Sequence, residues 1–180
     1  VTFTNDLVDW GTQSTALYIK TGWSGFVNTS ILTFGPPSST DSPLKRIILS
    51  FYEVGLSGSD DILVQIGDAN NSRYTTGYVS TGIRVGGSSA GGSSTAGFLI
   101  SLSTTGSGSY AFTGIMELNF SGTNYNCCES TVRGKESTGL TAFGAGHNHS
   151  MTGDVRTISF YPSGSNTFDG SGSISIYYMG

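Results

Sequence analysis

At 180 residues, the chain is long enough to bury a two-sheet core in one domain spanning 1–180. Charged residues make up only 11% against 36% hydrophobic and 12% aromatic, and Gly, Ser and Thr together supply roughly two residues in five, so this is not the highly charged, aromatic-poor composition of a disordered chain. A formal net charge of −4 with no basic cluster larger than Lys45-Arg46 argues against a nucleic-acid partner, and no apolar run reaches the about 20 residues of a membrane span.

Ser and Thr at such density read as the solvent faces of strands, and Gly as turns. With so little charge to keep it soluble, the protein is expected outside cells or packed within an assembly. The chain begins at Val1, which fits a removed initiator or leader and fits equally a sequence that simply begins there.

In chain order, Thr15 to Lys20 reads as a strand and Phe26 to Phe34 as another. The second runs into Gly35 to Pro43, a segment with several prolines and no apolar pattern, hence an exposed loop. Lys45 to Val54 is nearly continuous in apolar residues at Ile47, Ile48 and Leu49 before it alternates, which predicts a central strand covered on both faces for part of its length. Ile62 to Ile66 follows, with Ile62, Val64 and Ile66 inward and Leu63 and Gln65 outward. Y-T-T-G-Y-V-S-T, from Tyr74, predicts a short strand. Gly86 to Gly92 has the composition of a linker but is closely flanked by strands, so it is expected to be a mobile loop.

Phe98 to Leu102 and Tyr110 to Phe120 come next. In the longer run Phe112, Met116, Leu118 and Phe120 share one face, and Ile115, Glu117 and Asn119 the other. Thr131 to Arg133 and Leu140 to Phe143 are weaker candidates. The closing block alternates twice, first at Val155, Thr157, Ser159 and Tyr161 and then, after a Pro-Ser-Gly-Ser-Asn turn, at Ile174, Ile176 and Tyr178. The simplest expectation is a pair of half-buried antiparallel strands that completes a sheet, with no domain after it. No segment of ten residues has helical apolar spacing free of Gly, so no long helix is expected. Roughly ten short strands between Gly/Ser/Asn turns predict an all-β fold, an antiparallel two-sheet β-sandwich of jelly-roll type.

The closing block, with Arg156, Ile158 and then T-F-D-G-x-G-S-I-x-I-x-Y, resembles the C-terminal end of the tail-fibre-like and head-decoration-like virion proteins of tailed bacteriophages, aquatic ones especially. S-D-D-I-L-V-Q-I-G-D (Ser59 to Asp68), T-T-G-Y-V-S-T from Thr75 and G-F-L-I from Gly97 are similar to that family's middle segments, in the same order. The likeness covers roughly two thirds of the chain and excludes the N-terminal third; its motifs are structural. It implies a structural virion protein on the particle surface, a fibre or capsid-decoration subunit that contributes to host attachment, with no enzymatic activity and no cofactor. Because such proteins are commonly trimers, it also implies a homotrimer, with other virion proteins and a host-surface glycan as further partners. A lectin-like receptor-binding module is the alternative expectation, and a glycan-degrading enzyme a remote one.

Few residues could carry chemistry. The only histidines are His147 and His149, and no G-x-S-x-G elbow precedes a helix, so a serine hydrolase is not expected. In extended backbone the two imidazoles would share a face about 7 Å apart. Three copies on a three-fold axis could surround one metal ion with them; the plainer alternative is two exposed polar residues in a Gly-rich loop. Asp60-Asp61 and Asp68 lie at opposite ends of one predicted strand, over ~20 Å apart, too far for a glycosidase pair. Asp68, Asn70 and Asn71 read as a turn in preference to a Ca²⁺ site.

Cys127 and Cys128 are adjacent, so on a strand they face opposite ways. Free thiols with one buried, inter-subunit disulfides, and a strained vicinal disulfide or metal ligation all remain open. Sugar faces stack on exposed aromatics, for which Trp10, Trp23, Tyr74, Tyr78, Tyr161 and Tyr177 are candidates. The most specific is the Asn124-Tyr125-Asn126 turn, an aromatic face flanked by two amides that can each donate and accept hydrogen bonds.

Overall fold

A computed structural model describes residues 6–8, 17–24, 27–29, 32–34, 45–58, 60–68, 72–85, 89–101, 112–120, 126–134, 141–151, 155, 157–169 and 172–179. Among them there are fifteen strands and no helix. The first five are β1 (Asp6–Val8), β2 (Leu17–Ser24), β3 (Val27–Thr29), β4 (Leu32–Phe34) and β5 (Arg46–Val54). Then come β6 (Ile62–Gly67), β7 (Tyr78–Val85), β8 (Ala90–Ser94), β9 (Phe98–Ser101) and β10 (Phe112–Phe120). The last five are β11 (Asn126–Gly134), β12 (Thr141–Asn148), β13 (Thr157–Pro162), β14 (Phe168–Asp169) and β15 (Ser173–Met179).

All pairings between these strands are antiparallel. Nine strands form one sheet in the order β1-β2-β15-β5-β10-β11-β12-β7-β8, four form a second, β4-β13-β6-β9, and β14 pairs with β3.

Period-two patterning decides which side chains the sheets bury. Ile47, Leu49 and Phe51 of β5, Met116 and Leu118 of β10, and Ile174 and Ile176 of β15 leave the same side of the nine-stranded sheet. They join Ile62, Val64 and Ile66 of β6, Ile158 and Phe160 of β13, and Phe98 and Ile100 of β9 in one apolar cluster. Two edge-to-face aromatic contacts link the sheets across it: Phe51 with Phe160, centroids 5.5 Å apart, and Tyr78 with Phe98 at 4.9 Å. Two buried hydroxyls in the same region find partners. The Tyr78 hydroxyl accepts from the Ile66 backbone N–H at 2.9 Å, and Ser80 Oγ accepts from the Leu99 N–H at 2.8 Å while donating to the Ala145 carbonyl.

Several sequence expectations change. The two closing runs are both strands, but they are not partners: β13 lies between β4 and β6, whereas β15 lies between β2 and β5. Ten residues separate them, far more than a tight hairpin uses. That link is tied instead to the β5–β6 turn, by Ser163 N–H on the Asp61 carbonyl, Asn166 N–H on Asp60 Oδ2 and Ser57 N–H on the Thr167 carbonyl. Nor is β13 half-buried, since Thr157 and Ser159 are as enclosed as Ile158 and Phe160. Leu63 and Gln65 of β6 are buried as well, with the Gln65 amide donating to the Ala96 carbonyl at 2.7 Å.

Phe26 to Phe34 is two strands in different sheets, β3 and β4. The Gly86–Gly92 loop is in part strand: Arg84 to Gly82 pair with Ala90 to Gly92 at the sheet edge. Side-chain patterning gives no sign of β8 because an edge strand of Gly, Ala and Ser is held by its backbone ladder alone. Residues 86–88 and the Gly35–Pro43 loop lie outside the described residues. The expected alternation holds over 113–119 of β10 and 173–177 of β15, and β5 is central but alternates from Arg46 to Tyr52, with Ile48 only half-buried, before it is interrupted at Glu53.

Candidate functional site

The two histidines are brought together. His147 ends the outward row of β12, His149 follows the strand, and the buried Asn148 between them sends its amide to the Thr76 carbonyl at 3.0 Å. Both imidazoles are exposed, with ring centroids 6.4 Å apart, close to the spacing expected of extended backbone. His147 is part of a strand, so the Gly-rich loop reading fails for it. Among the described residues no third His, Cys, Asp or Glu joins them in a group able to hold a metal ion. Directly across from His147 in the ladder is Cys127, while Cys128 sits opposite Gly146 and Leu118. Both cysteines are therefore in extended backbone, as the argument against a simple intrachain bridge required.

The carboxylates are not brought together. Asp60 precedes β6 and accepts the Asn166 N–H; Asp68 follows β6 and closes a turn, its Oδ1 accepting the Ser72 N–H at 3.0 Å while its own N–H reaches the Ser72 carbonyl. Asp68 is thus used as a turn former. Asn70 and Asn71 lie outside the described residues.

Of the aromatic candidates, Tyr78 is core: it is 1% exposed, and burial pushes its phenol well above the ordinary range, with the Ile66 N–H opposing. The Tyr161 hydroxyl donates to the Ala96 carbonyl at 2.8 Å, and burial raises its pKa too. Ala96 thus receives Gln65 and Tyr161 together, and the chain passes so close that a Cβ at Gly97 would sit 3.0 Å from the Tyr161 hydroxyl and from the Val64 carbonyl. Tyr74 packs on the core edge, and Tyr177 is half-buried. Asn124, Tyr125 and Trp10 lie outside the described residues; Asn126 opens β11 opposite Phe120, and Trp23 is in β2.

Sequence reading reached only part of the outward face of the nine-stranded sheet. Tyr52 (59% exposed), Ile115 (55%), Ile83 (53%) and Phe143 (45%) lie on it, with Val79 and Val85. Ile83 pairs with Phe143, Phe143 with Thr131, and Thr131 with Ile115, so these residues occupy one cross-strand row. Beside that row, Arg46 Nη2 donates to Glu117 Oε2 and the Asn119 amide donates to Glu117 Oε1 at 2.8 Å; the two bonds hold the Glu117 carboxyl below its usual pKa. The signal for this face was present in the placing of Ile115 on the side of its strand opposite Met116 and Leu118. It was incomplete because β7 was read as ending near Thr81, whereas it continues through Gly82 to Val85.

Comparison of the chain with family models, curated proteins and solved structures finds no match among any of them.

Proposed function

We infer that the chain is a structural virion protein of a tailed bacteriophage: a jelly-roll-like two-sheet sandwich that serves as a subunit of a fibre or capsid decoration on the particle surface. In this reading it is a homotrimer in contact with other virion proteins, it contributes to host attachment, and it is not an enzyme. The observation that carries the reading is where the phage-like segments fall. Ser59 to Asp68 contains β6, the Thr75 segment leads into β7, the Gly97 segment is β9, and the closing block supplies β13, β14 and β15. Their apolar residues are the facing members of one core, so the resemblance lies in the parts that build the scaffold, as expected where the shared property is architecture. One core built from the inner faces of two antiparallel sheets is also what supports the sandwich form.

One observation favours the lectin-like alternative. Tyr52 offers an aromatic ring to solvent on a sheet face, where a sugar ring could stack.

Proteomics of density-purified phage particles tests the proposal. The chain should band with intact particles and remain after a high-salt wash; its absence from them would overturn the reading. Incubation with host-surface polysaccharide separates the alternatives: retention on the polysaccharide marks the lectin-like module, and release of shortened sugars an enzyme.

A further inference from the structure

The outward face of the nine-stranded sheet is the largest described feature that the fold itself does not use. From β7 across β12, β11, β10 and β5 to β15 there are five strand spacings, about 24 Å, and Val79 to Val85 spans about 20 Å along the strands. Six large apolar or aromatic side chains point out of this area at about half exposure. With about 200 Å² for a large side chain, they offer on the order of 600 Å² of apolar surface, the upper end of what a soluble monomer leaves wet.

Two properties identify the occupant. The first is area. The Thr, Ser and Ala positions between the six bring the face toward the about 800 Å² per partner of a standard stable interface.

The second property is charge. A surface that meets its own copy cannot carry much net charge, because like charges would be brought together. On this face Arg46 of β5 and Glu117 of β10 neutralise each other between adjacent strands. Formal charge thus cancels over this pair, with Glu53 at the rim where β5 bulges. A basic or acidic macromolecule would find no complementary field here, whereas another copy of the chain would find a neutral, apolar, β-branched surface like its own.

We propose that this face, centred on Ile83, Phe143 and Ile115, is the surface through which copies of this chain assemble. The inference rests on the self-assembling subunit described above and names its contact. The face is covered in the assembly and closed to solvent.

Light scattering on the purified chain and on the double variant Ile83→Glu/Phe143→Glu tests it. The wild type should run at a multiple of the 18.8 kDa chain mass, and the double variant at 18.8 kDa with an unchanged far-ultraviolet spectrum. Thr95→Glu, an exposed turn position off the face, should assemble as the wild type does. If the double Glu variant does not fold, Ile83→Thr/Phe143→Thr keeps strand-forming side chains and should raise the dissociation constant at least tenfold. A folded double variant that assembles as tightly as the wild type overturns this face but leaves self-assembly standing. A wild type that is monomeric at micromolar concentration overturns both, as does a monomer that binds polysaccharide through Ile83 and Phe143.

Discussion

Replacing Ile176 by Asp puts a carboxyl where the chain has least room for one. Ile176 is 1% exposed, pairs with Leu49 in the central strand and belongs to the cluster between the two larger sheets. Removing the buried isoleucine forfeits about 1.5–3 kcal/mol of burial. A carboxyl without hydrogen-bond partners adds about 1–3 kcal/mol even if it stays neutral, and more if it ionises. The sum, about 2.5–6 kcal/mol, is a large part of the roughly 5–15 kcal/mol that holds a domain together. Ser175, one residue earlier, faces the other way and is half-exposed, so Ser175→Asp should cost no more than about 0.5 kcal/mol. Urea titration at a protein concentration low enough to keep the chain dissociated reads both. At a slope of about 2 kcal/mol/M, Ile176→Asp should move the midpoint down by about 2 M or abolish the transition, and Ile176→Val by well under 1 M. Equal losses at 175 and 176 would refute the alternation on which the core assignment rests.

Other outcomes follow from the same geometry. Tyr78→Phe strands the Ile66 N–H at a fully buried position and should cost about 1–3 kcal/mol in urea; a change below about 0.3 kcal/mol would show that the hydrogen bond is not made. Because burial raises the Tyr78 pKa in the folded state, its contribution is fully present below pH 10 and is lost as pH rises beyond, where only the unfolded chain ionises; Tyr78→Phe should therefore flatten the alkaline decline in melting temperature. Gly172 has φ +99° and would drive a Cβ into the Glu53 carbonyl, so Gly172→Ala should lower stability by several kcal/mol, with a wild-type melting curve as the contrary result. If the Asn124-Tyr125-Asn126 turn contacts a host glycan, Tyr125→Ala should weaken binding to host cells while melting temperature and oligomeric state stay unchanged; loss of the assembly instead would make that tyrosine a subunit contact.

How much of this was legible in the sequence depended on whether side chains or backbone did the specifying. Strands with an apolar alternation, β5, β10 and β15, were readable because burying one face requires that alternation and fixes the register. β6 and β13 were readable as strands, but not as strands enclosed on both sides, since Gln65, Thr157 and Ser159 are polar and only the tertiary structure buries them. β8 was invisible because its Gly and Ser residues bring ladder hydrogen bonds and no side-chain pattern. Strand identity also says nothing of partner: β13 and β15 looked like a hairpin, and only the ten-residue link tied to the β5–β6 turn sends them to different sheets. The 6.4 Å between the two histidine rings is close to what strand spacing alone gives, whereas the apolar sheet face needed the true length of β7 before Ile83 and Val85 could be seen beside Phe143.

The claim that matters most is that this chain is a structural subunit of a phage particle, and cryo-electron microscopy of particles from a phage carrying this gene tests it most directly. The account predicts density for copies of the chain at symmetric positions on a fibre or capsid surface, clustered in threes. Particles with full, well-resolved surfaces and no density that accommodates the nine-stranded sheet would contradict it.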